Sequence, residues 1–338
     1  MPARARVDVG ADPVALLDSV PLSDDEAGYV EAARAANTLR GYRSDWREFT
    51  AWCAQRGVPL PAAPATVTGY LTELARHGAK VGTMSRRLSA IKFAHQLRNH
   101  ADPTRNARVL AVWEGIRRTH TTPPDQAEPL MPPELFDVLA ACPTTKTWRT
   151  PGRPPEPDLA GARDRALLLV GFVAALRRSE ISSLTVDQVT EHPNGLVLTL
   201  PRSKTNPTGD QRELVVLPRA GTPTRCPVTA LTRWLGLAGI TAGPLFRPIS
   251  KANTARPRPL HPETVNALVQ QAVERAGNDP TRYSAHSLRA GFVTYAHLRG
   301  ATDRAIAHQT RHRSLASIGG YVRIHEAWAD NAATALGL

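Results

Sequence analysis

Apolar positions recur at spacings of three and four through the first third of the chain, and each such stretch ends at a helix breaker. The clearest covers about residues 37–56, where Leu39, Tyr42, Trp46, Phe49 and Cys53 share one face and Gly57 closes the run. Ser23 and Glu26 form an S-x-x-E capping pattern, which predicts an earlier helix opening at Ser23. A third helix is expected near 66–76, burying Val67, Tyr70, Leu71 and Leu74 and stopping at Gly78. A fourth runs from 83 to about 98 with Leu88, Ile91 and Leu97 inward, and a fifth covers roughly 105–118. Short connections between amphipathic helices describe a small all-helical bundle.

Residues 119–133 are rich in proline and threonine without helical or strand periodicity and read as an extended linker; 143–157 reads as a surface loop. From Gly161 a strongly apolar helix is expected to end near Arg177, with Ser179 placed to cap the next. The period then changes. Leu196, Leu198 and Leu200 alternate with Val197 and Thr199, turn residues follow, and 214–217 resumes an apolar run, which predicts a β-hairpin with Lys204 at its near end. Helical patterns return at 227–237, 262–276, 287–299, 303–308 and from 318 to the end. The organisation is therefore an acidic, loosely attached tail (1–22), a helical domain (23–118), a linker (119–133) and a mainly helical second domain with a small sheet (134–338).

A chain of 338 residues is about twice the usual single-domain size, in keeping with two cores. No run of eighteen apolar residues and no signal-peptide pattern is present, so no membrane association and a cytoplasmic location are expected. Cys53, Cys142 and Cys226 make no CxxC pair and read as reduced structural residues. The net charge of +12 is unevenly placed: residues 1–31 carry −5, residues 32–130 carry +8 and residues 131–338 carry +9. Two basic bodies on one chain suit a double-stranded DNA partner held from two sides, because phosphate neutralisation releases counterions.

The chemistry concentrates in the second domain. His286 and Arg289 stand three apart at the start of a helix and share a face, while Leu288, Phe292 and Tyr295 run along another. A helix N-terminus there would welcome a phosphate. With Arg177, Lys204, His312 and Tyr321, these residues supply the donors that a phosphoryl transition state needs without a metal, together with a hydroxyl nucleophile. His308 and His312 stand four apart, but the zinc-hydrolase pattern requires a glutamate where this chain has Gln309, so no metal is expected. No GxxxxGK[ST] loop occurs, and no cofactor is expected.

The order Leu176-Arg177-Arg178-Ser179-Glu180, a lysine in a β-hairpin, His286-Ser287-Leu288-Arg289, and a histidine nine residues before a tyrosine resembles the tyrosine recombinases. This is the phage integrase family, which includes Cre and the Xer proteins. The segment CPVTALTRWL at 226–235 is similar as well. The resemblance implies a helical, SAM-like core-binding domain followed by a mixed α+β catalytic domain with a small antiparallel sheet. It further implies attack by Tyr321 on DNA to form a 3′-phosphotyrosyl link, with Arg177 and Arg289 on the non-bridging oxygens and His286 as general base. His312 would bond the phosphate, Lys204 would protonate the leaving 5′ oxygen, and Glu180 would hold the arginine or histidine in place. Arg40, Arg43, Arg86 and Arg87 are candidates for DNA contact, and Ile324, Trp328 and Leu336 for a tail exchanged between protomers of a DNA-bound tetramer. Two departures stand out: Arg311 and Ala175 occupy places where the family commonly has glycine. A type IB topoisomerase shares the tyrosine and most donors, and a non-catalytic DNA-binding regulator could keep the same fold; these are the alternatives.

Overall fold

The structure, a computed structural model, describes residues 36–121, 127–201 and 213–311, with isolated positions between 23 and 34. The expected helices opening at Ser23 and at 318 fall largely or wholly outside the described residues, as do Lys204, His312 and Tyr321. The chain divides into two compact units, 1–125 and 126–338.

The first unit holds four described helices, α1 (Ala36–Gln55), α2 (Pro64–Arg76), α3 (Val81–Leu97) and α4 (Ala107–His120). Their apolar stripes meet in one core: Trp46, Phe49 and Cys53 of α1, Val67, Tyr70 and Leu71 of α2, Met84 and Ile91 of α3, and Val109 and Ile116 of α4. On α3 the inward face differs from the sequence expectation. Met84, Ala90, Ile91, Ala94 and His95 are buried, whereas Leu88 and Leu97 are only half-buried. His95 is tolerated inside because both ring nitrogens are used. Nε2 accepts the Ala62 N–H at 3.0 Å and Nδ1 lies 2.8 Å from the Ile91 carbonyl, while burial holds its pKa below the usual imidazole range.

The second unit is built around α6 (Leu159–Val173), which is apolar over nearly its whole circumference and therefore sits inside. It packs between α8 (Pro227–Ala238) and α10 (Ala285–Leu298), with α5 (Glu134–Ala140), α7 (Arg178–Ser183) and α9 (Pro262–Arg275) completing the shell. The helix ends at Val173 and not near Arg177, because Ala175 turns left-handed (φ 48°) and the Leu176 N–H closes back on the Gly171 carbonyl at 3.1 Å. Ser179 is consequently inside α7, and Arg177 is the N-cap residue. Glu128 and Leu130 donate backbone hydrogen bonds to the Arg282 and Ser287 carbonyls, so the chain entering this unit is already laid along α10.

The expected hairpin is present as β4 (Gly195–Leu200) and β5 (Glu213–Pro218), with Leu196 opposite Leu217 and Leu198 opposite Val215. A third strand, β3 (Val189–His192), pairs with β4. It was not legible in the sequence, since its four residues are mostly exposed and carry no alternating pattern. The 143–157 loop is likewise tied at its ends by a short ladder, β1 (Thr145–Lys146) with β2 (Glu156–Pro157). All three cysteines are free and buried, and burial pushes the Cys53 and Cys142 thiols up to about 11. Among the described residues no helix is long and apolar enough to cross a membrane.

Candidate active site

The site is assembled from three turns that α10 holds together. Ser284 caps α10: its hydroxyl accepts the His286 N–H at 3.1 Å, and the Ser287 hydroxyl accepts the Ser284 N–H at 2.9 Å. This reciprocal cap places His286, which is exposed, in the first turn and Arg289 one turn on, where it is 1% exposed. The α10 backbone lies against its surroundings without room for side chains at Gly291, where a Cβ would stand 2.0 Å from the Leu130 carbonyl oxygen.

Arg289 spans two other turns. Nη1 donates to the Ala175 carbonyl and Nη2 to the Thr310 carbonyl, each at 2.6 Å. Ala175 lies two residues before Arg177 and Thr310 two before His312, so one guanidinium pins the backbone leading into both. Carbonyl acceptors orient a guanidinium without cancelling its charge, which a carboxylate would do.

Arg177 is the N-cap of α7. Its backbone N–H donates to Glu180 Oε2 at 2.9 Å and its Nη1 to Oε1 at 2.8 Å; Glu180 is 4% exposed. A buried carboxylate thus fixes the arginine. α11 (Asp303–Thr310) ends in Arg311, whose left-handed backbone (φ 58°, ψ 42°) caps the helix. Both non-glycine departures, Ala175 and Arg311, therefore stand at left-handed positions that glycine would fill without a steric cost.

Arg311 was noticed in the sequence only as a departure, yet its side chain is part of the site. Nη2 donates to Glu180 Oε2 at 2.6 Å, and Nε lies 3.4 Å from Glu213 Oε2 at the start of β5. Burial pushes this guanidinium downward, and the two carboxylates act against that. Gln309 braces the same corner, its amide donating to the Val173 and Val216 carbonyls, both at 2.9 Å. That use of Gln309 is structural. Among the described residues no group of three His, Cys, Asp or Glu side chains could hold a metal.

In the first unit, Arg86 is held by the buried Asp45 through two bonds of 2.7 and 3.0 Å, and Arg87 pairs with Glu48 and donates to the Tyr70 hydroxyl at 2.8 Å. Arg40 is exposed and Arg43 half-buried.

Residues 154–327 match the phage integrase family, and residues 29–99 match its N-terminal SAM-like domain. The chain belongs to the phage integrase family. Among curated tyrosine recombinases it is 33% identical over 307 residues to an integrase/recombinase XerD homologue of Selenomonas ruminantium, covering 90% of this chain and 86% of that one. It is 24% identical to the tyrosine recombinase XerD of Rhizobium meliloti, covering 90% and 93%. In fold it is similar to the XerH site-specific recombinase bound to a palindromic difH substrate (TM-score 0.63, 14% identity, 92% of this chain and 83% of that one). A lambda integrase dimer bound to a COC′ core site gives a TM-score of 0.57 at 15% identity, covering 88% and 75%. The family resemblance expected from the motif order is thus borne out, as is the mainly helical fold with a SAM-like domain and a catalytic domain carrying small antiparallel sheets.

Proposed function

We propose that this tyrosine recombinase cuts and rejoins double-stranded DNA at a specific site through a 3′-phosphotyrosyl intermediate at Tyr321, without metal or nucleotide cofactor. The observation that carries the reading is the double anchorage of Arg289, which brings the backbone before Arg177 and the backbone before His312 to one guanidinium. Residues separated by more than a hundred positions are there joined at one place.

In this reading Arg177 and Arg289 donate to the non-bridging oxygens, where charge gathers as phosphorus becomes pentacoordinate. His286 takes the Tyr321 proton and His312 adds a hydrogen bond to the phosphate. Tyr321 Oη forms a bond to phosphorus, the bond to the 5′ oxygen breaks, and Lys204 supplies the proton to that leaving oxygen. The ester with tyrosine conserves the energy of the broken bond, so a second 5′ hydroxyl can displace the tyrosine without ATP. Glu180 holds Arg177 throughout. On DNA the chain forms a tetramer in which the segment after Tyr321, with Ile324, Trp328 and Leu336, docks on a neighbouring protomer. Of the candidate arginines, Arg40 is favoured for phosphate contact, because Arg86 is bonded to the buried Asp45 and Arg87 is paired with Glu48.

The test is covalent capture. Fragments of the source genome are incubated with the protein, protein-linked DNA is recovered and sequenced, and a duplex of that sequence nicked beside the cleavage point is used as a suicide substrate. The wild-type chain should accumulate a protein–DNA adduct and Tyr321→Phe none; equal adduct with both chains refutes the assignment.

A further inference from the structure

Arg311 combines two costs that a surface residue never meets together. A left-handed backbone is disfavoured for any residue with a Cβ, and a guanidinium withdrawn from water must be compensated. Its side chain is only 5% exposed. Compensation comes from two separate elements, Glu180 of α7 and Glu213 at the start of β5, the return strand of the hairpin.

The sharing at Glu180 has a geometric effect on Arg177. A carboxylate facing a single arginine takes both oxygens to the guanidinium fork and uses up two of its donors. Here Oε2 is already occupied by Arg311 Nη2 and by the Arg177 backbone N–H. Only Oε1 is left for the Arg177 side chain, and it takes Nη1 alone. Among the described residues Nε and Nη2 of Arg177 meet no acceptor, and the side chain keeps 19% of its surface exposed. Among the described residues those two donors are left for a ligand.

We propose that Arg311 is a positioning residue for the strand-breaking reaction: by bridging Glu180 and Glu213 it restricts Glu180 to a single side-chain bond with Arg177 and so leaves the remaining Arg177 donors aimed at the scissile phosphate. The inference rests on the recombinase reading above. Arg311 touches neither substrate nor reacting atoms; it acts through Glu180 and Arg177. It also accounts for a costly arginine where glycine would serve the backbone.

The experiment compares Arg311→Gly and Arg311→Lys with the unaltered chain. Glycine relieves the left-handed strain while Glu180 and Glu213 lose a partner, so the thermal midpoint of each variant is measured first and cleavage is compared at a temperature where all the chains are folded. Single-turnover strand cleavage is measured on the captured nicked duplex carrying either a normal phosphate or a methylphosphonate at the scissile position. Methyl replaces one charged oxygen, so the neutral linkage demands less from Arg177. Arg311→Gly should bind DNA normally yet cleave the phosphate substrate at least about tenfold more slowly, the usual scale of a misplaced donor. That deficit should shrink on the methylphosphonate. Arg311→Lys should recover part of the rate, since an ammonium pairs with one carboxylate at a time. Wild-type cleavage by Arg311→Gly, or an equal deficit on both linkages, overturns the proposal. Tyr321→Phe serves as the separate control: adduct from that variant would refute the recombinase reading itself and not the role of Arg311.

Discussion

Gly291 on α10 and Gly115 on α4 offer the same chemical change with opposite expected signs. A Cβ at Gly291 would stand 2.0 Å from the Leu130 carbonyl oxygen and 2.6 Å from its carbonyl carbon, whereas at Gly115 nothing lies within 4 Å. Reaching an ordinary contact of 3.4 Å requires the 130 backbone to retreat by 3.4 − 2.0 = 1.4 Å. That retreat breaks the 2.9 Å bond from the Leu130 N–H to the Ser287 carbonyl and loosens a leucine that is 1% exposed. Orphaning the buried pair costs about 1–3 kcal/mol, and partial loss of Leu130 packing adds a share of the roughly 2–5 kcal/mol of a large-to-small core change. Against this stands a helix-propensity gain of about 1 kcal/mol for glycine to alanine. Gly291→Ala should therefore destabilise the second unit by roughly 2–4 kcal/mol, and Gly115→Ala should stabilise the first by about 1 kcal/mol. Urea unfolding followed by separate probes for the two units measures both. A Gly291→Ala variant as stable as the parent would refute the close approach of the entering chain to α10.

Two further outcomes are expected. Arg289→Met should slow strand cleavage by about 10²–10³-fold, the usual loss of one oriented donor, while removing the bonds it donates to the Ala175 and Thr310 carbonyls. Each charged hydrogen bond lost is worth about 1.5–3 kcal/mol, offset in part by methionine packing, so unfolding should shift by roughly 1–4 kcal/mol; unchanged cleavage would remove Arg289 from the site. Deleting residues 326–338 should abolish cooperative assembly on DNA in a mobility-shift titration while leaving single-protomer binding intact, and unaltered cooperativity would refute tail exchange.

The sequence alone located most of the described helices to within a few residues, because an amphipathic stripe such as Trp46, Phe49 and Cys53 must face one core whatever surrounds it, whereas the short α5 carried no pattern distinct from the proline-rich stretch before it. It also determined the family, since the motif order from Arg177 to Tyr321 is a one-dimensional property. Strand β3 was invisible because, apart from the partly buried Val189, its residues are exposed, and its pairing with β4 leaves no alternating pattern in the sequence. The inward face of α3 depended on His95, whose burial is acceptable only once Ala62 supplies a donor from a distant segment. Arg311 shows the same division most sharply. In the sequence it is an arginine standing in a glycine's place, and only the approach of α7 and β5 decides that its charge is buried between two carboxylates and not spent on solvent. Local patterns are written along the chain, but compensation of buried charge needs partners that only the folded chain brings within 3 to 4 Å.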